Sequence, residues 1–244
     1  MIYVTADIHG NRRRFDSVME QIRLTSEDTL YVLGDVIDRH ADGVRILQQL
    51  MEMPNARLTL GNHEYMMLQA MTHFYDPEGG ESEFEKSRHF RRWYRNGGTV
   101  THNCLKKLRR WEREKIFAYL RELPLSYDVE AGGVRFKLVH AAPPELYPLF
   151  EHDYADRREF AVWKRWGEGE FPPRDYVTVF GHTPTMYYQK ADPMRIWRCG
   201  DIVDIDCGSG YSDEAEPGPI PGGRLACLRL DDMEEFYSEE PPRL

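Results

Sequence analysis

With 244 residues, 41% of them hydrophobic and 30% charged, the chain can bury one substantial core, yet no apolar run approaches the roughly 18 residues that a membrane span needs. A formal charge of −9 excludes the broad basic surface on which nucleic-acid affinity depends, although bound cations can still reverse the field locally and admit a phosphate. The four cysteines, Cys104, Cys199, Cys207 and Cys227, show no C-x-x-C spacing, so reduced thiols are expected instead of a disulfide frame or zinc knuckle. Strand-forming residues begin at Met1-Ile2-Tyr3-Val4 without the charged and apolar regions of a signal peptide, and the expectation is a cytoplasmic protein.

The first seventy residues alternate short apolar strands with amphipathic helices. A strand over Met1 to Thr5 leads into Ala6-Asp7-Ile8-His9-Gly10-Asn11, then a helix with Phe15, Val18, Met19 and Ile22 on one face. The run Leu30-Tyr31-Val32-Leu33 predicts a buried strand that delivers Gly34-Asp35-Val36-Ile37-Asp38-Arg39 at its C-terminal end, where open α/β sheets place their sites. The following helix carries Val44, Ile46, Leu47 and Leu50 and stops at Pro54-Asn55. A third strand, Arg57 to Leu60, meets Gly61-Asn62-His63-Glu64 and the apolar helix Tyr65-Met66-Met67-Leu68. Repetition of this kind implies parallel strands covered by helices.

From about residue 72 to 123 the chain turns charged, aromatic and helical, after an expected exposed turn at Asp76 to Gly80. Phe84, Phe90, Trp93 and Tyr94, then Trp111, Ile116, Phe117 and Leu120, predict two or three helices broken at Asn96-Gly97-Gly98. They are read as an insertion within a single domain, 1–244, that either covers one side of the crevice or forms a peripheral helical buttress. Strands are predicted over Leu125 to Val129, Val134 to Val139, Val177 to Phe180, Ile202 to Ile205 and Leu225 to Leu230, with a frayed tail at Glu239 to Pro242.

Metal-type side chains recur at the strand ends: Asp7 and His9, Asp35, Asn62 and His63, His140, and His182. Each has an ordinary reading, such as Asn62 capping a helix or a solitary histidine on the surface. Together, five motifs in order at predicted strand ends point to one rim. Their mixed carboxylate, imidazole and amide donors suit Mn²⁺, Fe²⁺ or Zn²⁺. Asp35 has two oxygens, one for each of two ions, and a pair of ions bridged in this way would make a hydrolytic centre. His40, His73, His89, His102 and His152 lack such company and are expected to be surface residues.

Asp7-Ile8-His9, Gly34-Asp35-Val36-Ile37-Asp38-Arg39, Gly61-Asn62-His63-Glu64, His140 and Gly181-His182 resemble the signature of the calcineurin-like metallophosphoesterases. The Asp38-Arg39 pair and Glu64 are closer to the phosphoprotein phosphatase branch. Trp93-x-x-Asn96-Gly97-Gly98, Trp163-Lys164-Arg165 and Gly181-His182-Thr183-Pro184 are similar to its small bacterial and phage lambda type members. The resemblance implies a four-layer α/β/β/α sandwich with a helical insertion, and two divalent ions, manganese foremost. By similarity, Asp7, His9 and Asp35 would hold the first ion, and Asp35, Asn62, His140 and His182 the second. A bridging hydroxide would attack phosphorus in line, His63 would protonate the leaving oxygen under the orientation of Asp38, and Arg39 would grip phosphoryl oxygens.

Two positions depart from the family pattern. Leu60 stands where an arginine usually precedes Gly-Asn-His-Glu, and His40 where glycine is common. Arg165, with Arg174 in reserve, is expected to supply part of the missing cation's role. The leading functional expectation is a phosphomonoesterase acting on phosphorylated serine, threonine or tyrosine in proteins or on small phosphate esters. The alternative is a symmetrical dinucleoside polyphosphate hydrolase, a group that typically has Ala at the position of Asp38 and Asp at that of Glu64. A non-catalytic scaffold is a third class, disfavoured by the intact ligand set.

Overall fold

The computed structural model describes residues 1–72, 82–167, 169–172, 174–211 and 222–238. The N-terminal apolar runs form parallel strands β1 (Ile2–Thr5), β2 (Thr29–Val32) and β3 (Ala56–Leu58), with Tyr3 opposite Leu30 and Leu30 opposite Ala56. Helices α1 (Arg12–Ile22) and α2 (Gly43–Glu52) make the crossovers, and α3 (Asn62–Ala70) follows β3. The antiparallel pair β9 (Ala226–Arg229) and β10 (Glu234–Tyr237) joins at β1, giving the order β10-β9-β1-β2-β3.

A second five-stranded sheet has the order β4-β5-β6-β8-β7. Its centre, β5 (Val134–Val139), β6 (Val177–Phe180) and β8 (Ile202–Asp204), is parallel, and β4 (Ser126–Ala131) and β7 (Trp197–Cys199) are antiparallel edges. Both sheets are therefore mixed.

Period-two alternation of side chains produces the layers. Tyr3, Leu30, Leu58 and Cys227 face the helices over the first sheet, while Val4, Ala226 and Leu228 face Phe136, Leu138, Val179 and Val203 across the space between the sheets. On the outer side of the second sheet, Val139, Phe180 and Ile202 pack with Phe160 of α7 (Arg157–Trp163) and with Trp166. The result is the expected four-layer α/β/β/α sandwich.

The segment between α3 and β4 contributes α4 (Glu83–Arg95), α5 (Thr99–Leu105) and α6 (Arg110–Arg121), with the break at Asn96 to Gly98 as expected. Gly97 adopts φ +97°, and a Cβ on Gly98 would lie 2.4 Å from the Trp93 indole, so the connection needs both glycines. Its aromatics divide by role. Trp93, Ile116, Phe117 and Leu120 join the main apolar cluster, whereas Phe84 and Trp111 are 70% and 58% exposed.

Strand ends differ from the sequence expectation by one or two residues, and β7 and β10 were not anticipated. All four cysteines are free thiols. Among the described residues no helix is long and apolar enough to cross a membrane. The exposed turn expected at Asp76 to Gly80, His73, and the tail at Glu239 to Pro242 lie outside the described residues. Of the other set-aside histidines, His152 is exposed, while His40, His89 and His102 are half-buried.

Candidate metal centre

The loops after β1, β2 and β3 touch along their backbones. Asp7 N–H donates to Gly34 O at 3.3 Å, His9 N–H to Asp35 O at 2.9 Å and Gly10 N–H to Val36 O at 2.8 Å. Gly34 turns with φ +72°, and a Cβ on Gly61 would lie 2.3 Å from Asp35 N, so only glycine permits this approach. The buried Glu64 carboxylate clamps the same loop, accepting from Asp35 N at 2.8 Å, Val36 N at 2.9 Å and Ile37 N at 3.3 Å.

Eight non-glycine residues among those described have positive φ, and six of them are Asp7, His9, Asp35, Asp38, Arg39 and His182. Left-handed backbone at such residues costs of order 1 kcal/mol or more each and persists where surrounding contacts enforce it, as at functional sites. The strain is concentrated on the residues with chemically useful side chains.

Those side chains form two donor sets that share Asp35. In the first, His9 Nε2 lies 3.6 Å from Asp35 Oδ2 and 4.0 Å from Asp7 Oδ1. In the second, Asn62 Oδ1 lies 2.8 Å from both His140 Nε2 and His182 Nδ1, and His140 Nε2 is 3.6 Å from Asp35 Oδ1. His9, Asp35 and His63 make one cluster of potential ligands, and Asp35, His140 and His182 another, all buried.

The protonation pattern tests whether cations fit. His9 Nδ1 lies 3.1 Å from Ile37 O and His140 Nδ1 2.7 Å from Leu33 O, so each Nδ1 must carry the proton it donates to a carbonyl. Burial first, then the Arg39 and His63 charges for His9, lowers the pKa well below the ordinary value, and burial also lowers that of His140. Both imidazoles are then neutral, with bare Nε2 lone pairs turned toward acceptor oxygens of Asp35 and Asn62. Asp7 is pushed well above the carboxylate range by burial, then by the charges of Asp206 and Asp35. Acceptors facing acceptors and carboxylates facing carboxylates are stabilised by divalent cations, and this donor set fits them.

Beside the shared carboxylate stands His63. Its Nδ1–H donates to Asp38 Oδ2 at 2.7 Å, and Trp93 Nε1–H donates to the same oxygen at 2.8 Å. Thr101 Oγ1 accepts from Asp38 N at 3.0 Å. Burial opposes a charge on His63, but Asp35 and then Asp38 outweigh it, and its pKa is raised. Its Nε2 lies 3.7 Å from Asp35 Oδ2 and 3.5 Å from Arg39 Nη2. Arg39 itself is exposed, with its backbone N–H held by Gly97 O at 3.2 Å. The end of α4 thus reaches the site, while α6 serves as a buttress.

Every metal-type residue singled out in the sequence, together with His63, Asp38 and Arg39, converges here. Arg165 is exposed, with Nη1 3.5 Å from Thr183 Oγ1, and its charge is felt at His140 and His182. Leu60 is fully buried in the main apolar cluster. One expectation needs correction. Arg174 is held by Pro172 O at 2.9 Å and Thr178 Oγ1 at 2.8 Å, near the start of β6, whereas His182 follows its end. Sequence reading also missed Asp206, a buried carboxylate close enough to perturb Asp7, and the clamping role of Glu64. Asp206 follows a predicted strand just as Asp35 does, and that parallel was the available signal.

The calcineurin-like phosphoesterase family model matches residues 1–207. The chain belongs to this family. A symmetrical bis(5'-nucleosyl)-tetraphosphatase of Acidovorax sp. (strain JS42) is 28% identical over 235 residues, covering 90% of this chain and 74% of that relative. Among solved structures, a candidate diadenosine tetraphosphatase superposes with a TM-score of 0.60 at 15% identity, over 97% of this chain and 91% of the other. The cold-active protein-tyrosine phosphatase of a psychrophilic Shewanella gives 0.56 at 13% identity, over 98% and 80%. At these identities the two structures show a shared fold. As a calcineurin-like phosphoesterase, the chain presents its two donor sets where a pair of divalent ions would be held.

Proposed function

We propose that this chain is a two-metal phosphatase acting on phosphomonoesters, either phosphorylated side chains of proteins or small phosphate esters. The observation that carries the reading is the buried His63–Asp38 pair at 2.7 Å, held by Trp93 and set beside the shared carboxylate. Asp7, His9 and Asp35 would hold one ion, and Asp35, Asn62, His140 and His182 the other, with manganese foremost and iron or zinc as alternatives. Such ions supply Lewis acidity and bring the pKa of water near neutral.

The chain's own residues supply the rest. Asp38 accepts the His63 Nδ1–H and favours the imidazolium, so that Nε2 also carries a proton to give to the leaving oxygen, as general acid catalysis requires. Arg39, exposed at the crevice, offers a guanidinium fork that pairs with two phosphoryl oxygens at once. Arg165 faces the second donor set and adds positive potential there.

A second reading, hydrolysis of symmetrical dinucleoside polyphosphates, is favoured by the name of the Acidovorax relative. Asp38 and Glu64 weigh against it, since that group typically carries Ala and Asp at these positions. The test is a comparison of kcat/KM, with Mn²⁺ added, on a phosphopeptide, a generic aryl phosphate and a dinucleoside tetraphosphate. Preference for the tetraphosphate by two orders of magnitude would favour the second reading, and activity on none would refute both.

A further inference from the structure

Small-molecule sites are clefts of several hundred cubic ångströms lined mainly by apolar and aromatic side chains with a few polar groups. One such cavity, of about 750 Å³, lies beside the metal centre. Arg165 and Thr183 line it, and Thr183 directly follows His182. Its walls are aromatic: Trp166, Phe171, Tyr187, Tyr188 and Trp197.

These rings come from three separate stretches of chain. Trp166 and Phe171 lie beyond α7 and stack at 4.8 Å with a 25° interplanar angle. Tyr188 follows the short turn Thr185–Tyr187, and stacks with Trp197 of β7 at 4.6 Å and 17°. The two stacks adjoin through Phe171 and Trp197, 6.4 Å apart, and Tyr188 Oη–H donates to Trp166 O at 3.2 Å. The walls are thus pre-assembled. Tyr187 is 67% exposed at the cavity, an apolar ring left in water.

We propose that this cavity binds the nucleoside end of a nucleoside phosphate ester while the phosphoryl group lies at the metal centre. The inference rests on the phosphoesterase reading and names the substrate class for it. Aromatic walls offer faces and edges to a planar base without demanding one sequence of donors. At its boundary with the metal centre, the Arg165 guanidinium and the Thr183 hydroxyl suit the ribose oxygens and the phosphoryl group they lead to. The volume lies in the range that accepts a whole drug-sized molecule, more than a single phenyl ring would fill. Occupancy by a nucleoside makes this cavity a specificity determinant separate from the His63 chemistry.

Two measurements test the proposal. Calorimetric titration of the protein with adenosine, which carries no phosphate, should show saturable binding that weakens at least about 5-fold in Tyr187→Ala and in Trp197→Leu, the lower end of what one stacked base contributes. Tyr187 is exposed, so its variant should fold even if the Trp197 variant does not. In parallel, the ratio of kcat/KM for adenosine monophosphate to that for glycerol phosphate should fall about 5-fold or more in the same variants. Phenyl phosphate should lose less than the nucleotide does. No adenosine binding, or unchanged binding and ratio in Tyr187→Ala, would overturn the cavity assignment while leaving phosphatase activity intact. A loss on phenyl phosphate equal to that on the nucleotide would overturn the nucleoside as occupant. If adenosine binds and the variants weaken it, yet no phosphate ester is cleaved, the phosphatase reading fails and the cavity stands.

Discussion

Replacing Asp38 by Asn removes one charge from a site where it cannot be replaced by solvent. Asp38 is fully buried, and its Oδ2 accepts both the His63 Nδ1–H at 2.7 Å and the Trp93 Nε1–H at 2.8 Å. An asparagine oxygen can still accept from these donors, so the geometry should survive while the electrostatics change. Burial lowers the His63 pKa, and the Asp35 charge, the Asp38 hydrogen bond and the Asp38 charge raise it. An opposite charge at this range favours the protonated imidazole, so Asp38→Asn should lower the His63 pKa. The acid is active when protonated, and activity falls as pH rises through its pKa. The alkaline limb of the pH-rate profile should therefore move to lower pH. Lost acid catalysis is worth roughly 10²- to 10⁴-fold in full, and the defect should be larger for an alkyl phosphate, whose leaving oxygen needs the proton, than for an aryl phosphate. Profiles of kcat for both substrates, with saturating Mn²⁺, provide the assay. An unmoved alkaline limb, or equal losses on the two esters, would refute the reasoning.

Asp35→Asn should empty both donor sets together, because an amide has one good ligand oxygen and Asp35 presents a separate oxygen to each histidine group; elemental analysis after dialysis should find less than half the wild-type metal. Leu60→Arg places an unpaired charge in the apolar cluster and should cost about 3–5 kcal/mol, seen as a large fall in Tm without tighter inhibition by inorganic phosphate. Glu64→Gln leaves one acceptor oxygen for three backbone N–H donors now shared between two; urea unfolding should register a loss of about 1–3 kcal/mol.

The site was legible where chemistry coincides with strand periodicity. Asp7, Asp35, Asn62, His140 and His182 each follow an apolar run short enough to read as a strand, and parallel strands bring such ends to one rim. Asn96-Gly97-Gly98 was legible as a helix break because glycine pairs rarely sit inside helices. What stayed hidden depends on direction in three dimensions. Leu60 neighbours the ligand loop in sequence, yet its side chain packs in the main apolar cluster. Arg165 and Arg174 look equivalent in sequence, and only the course of the chain sends one to the second donor set and the other to the start of β6. Trp93 lies 55 positions from Asp38, and nothing local announces that its indole donates there. β7 and β10 escaped for a different reason. β7 has only three residues, and β10 opens with two glutamates, so neither displays a hydrophobic period.

The central claim is that two ions and a separate acid, His63, divide the labour of phosphoester hydrolysis. The most direct measurement pairs metal content with turnover in wild type and His63→Ala, both loaded with Mn²⁺ and assayed on an alkyl phosphomonoester. The account predicts about two ions per chain in each protein and turnover lowered roughly 10²- to 10⁴-fold in the variant. Active wild-type protein without bound metal, or a His63→Ala variant that loses its metal along with its activity, would contradict it.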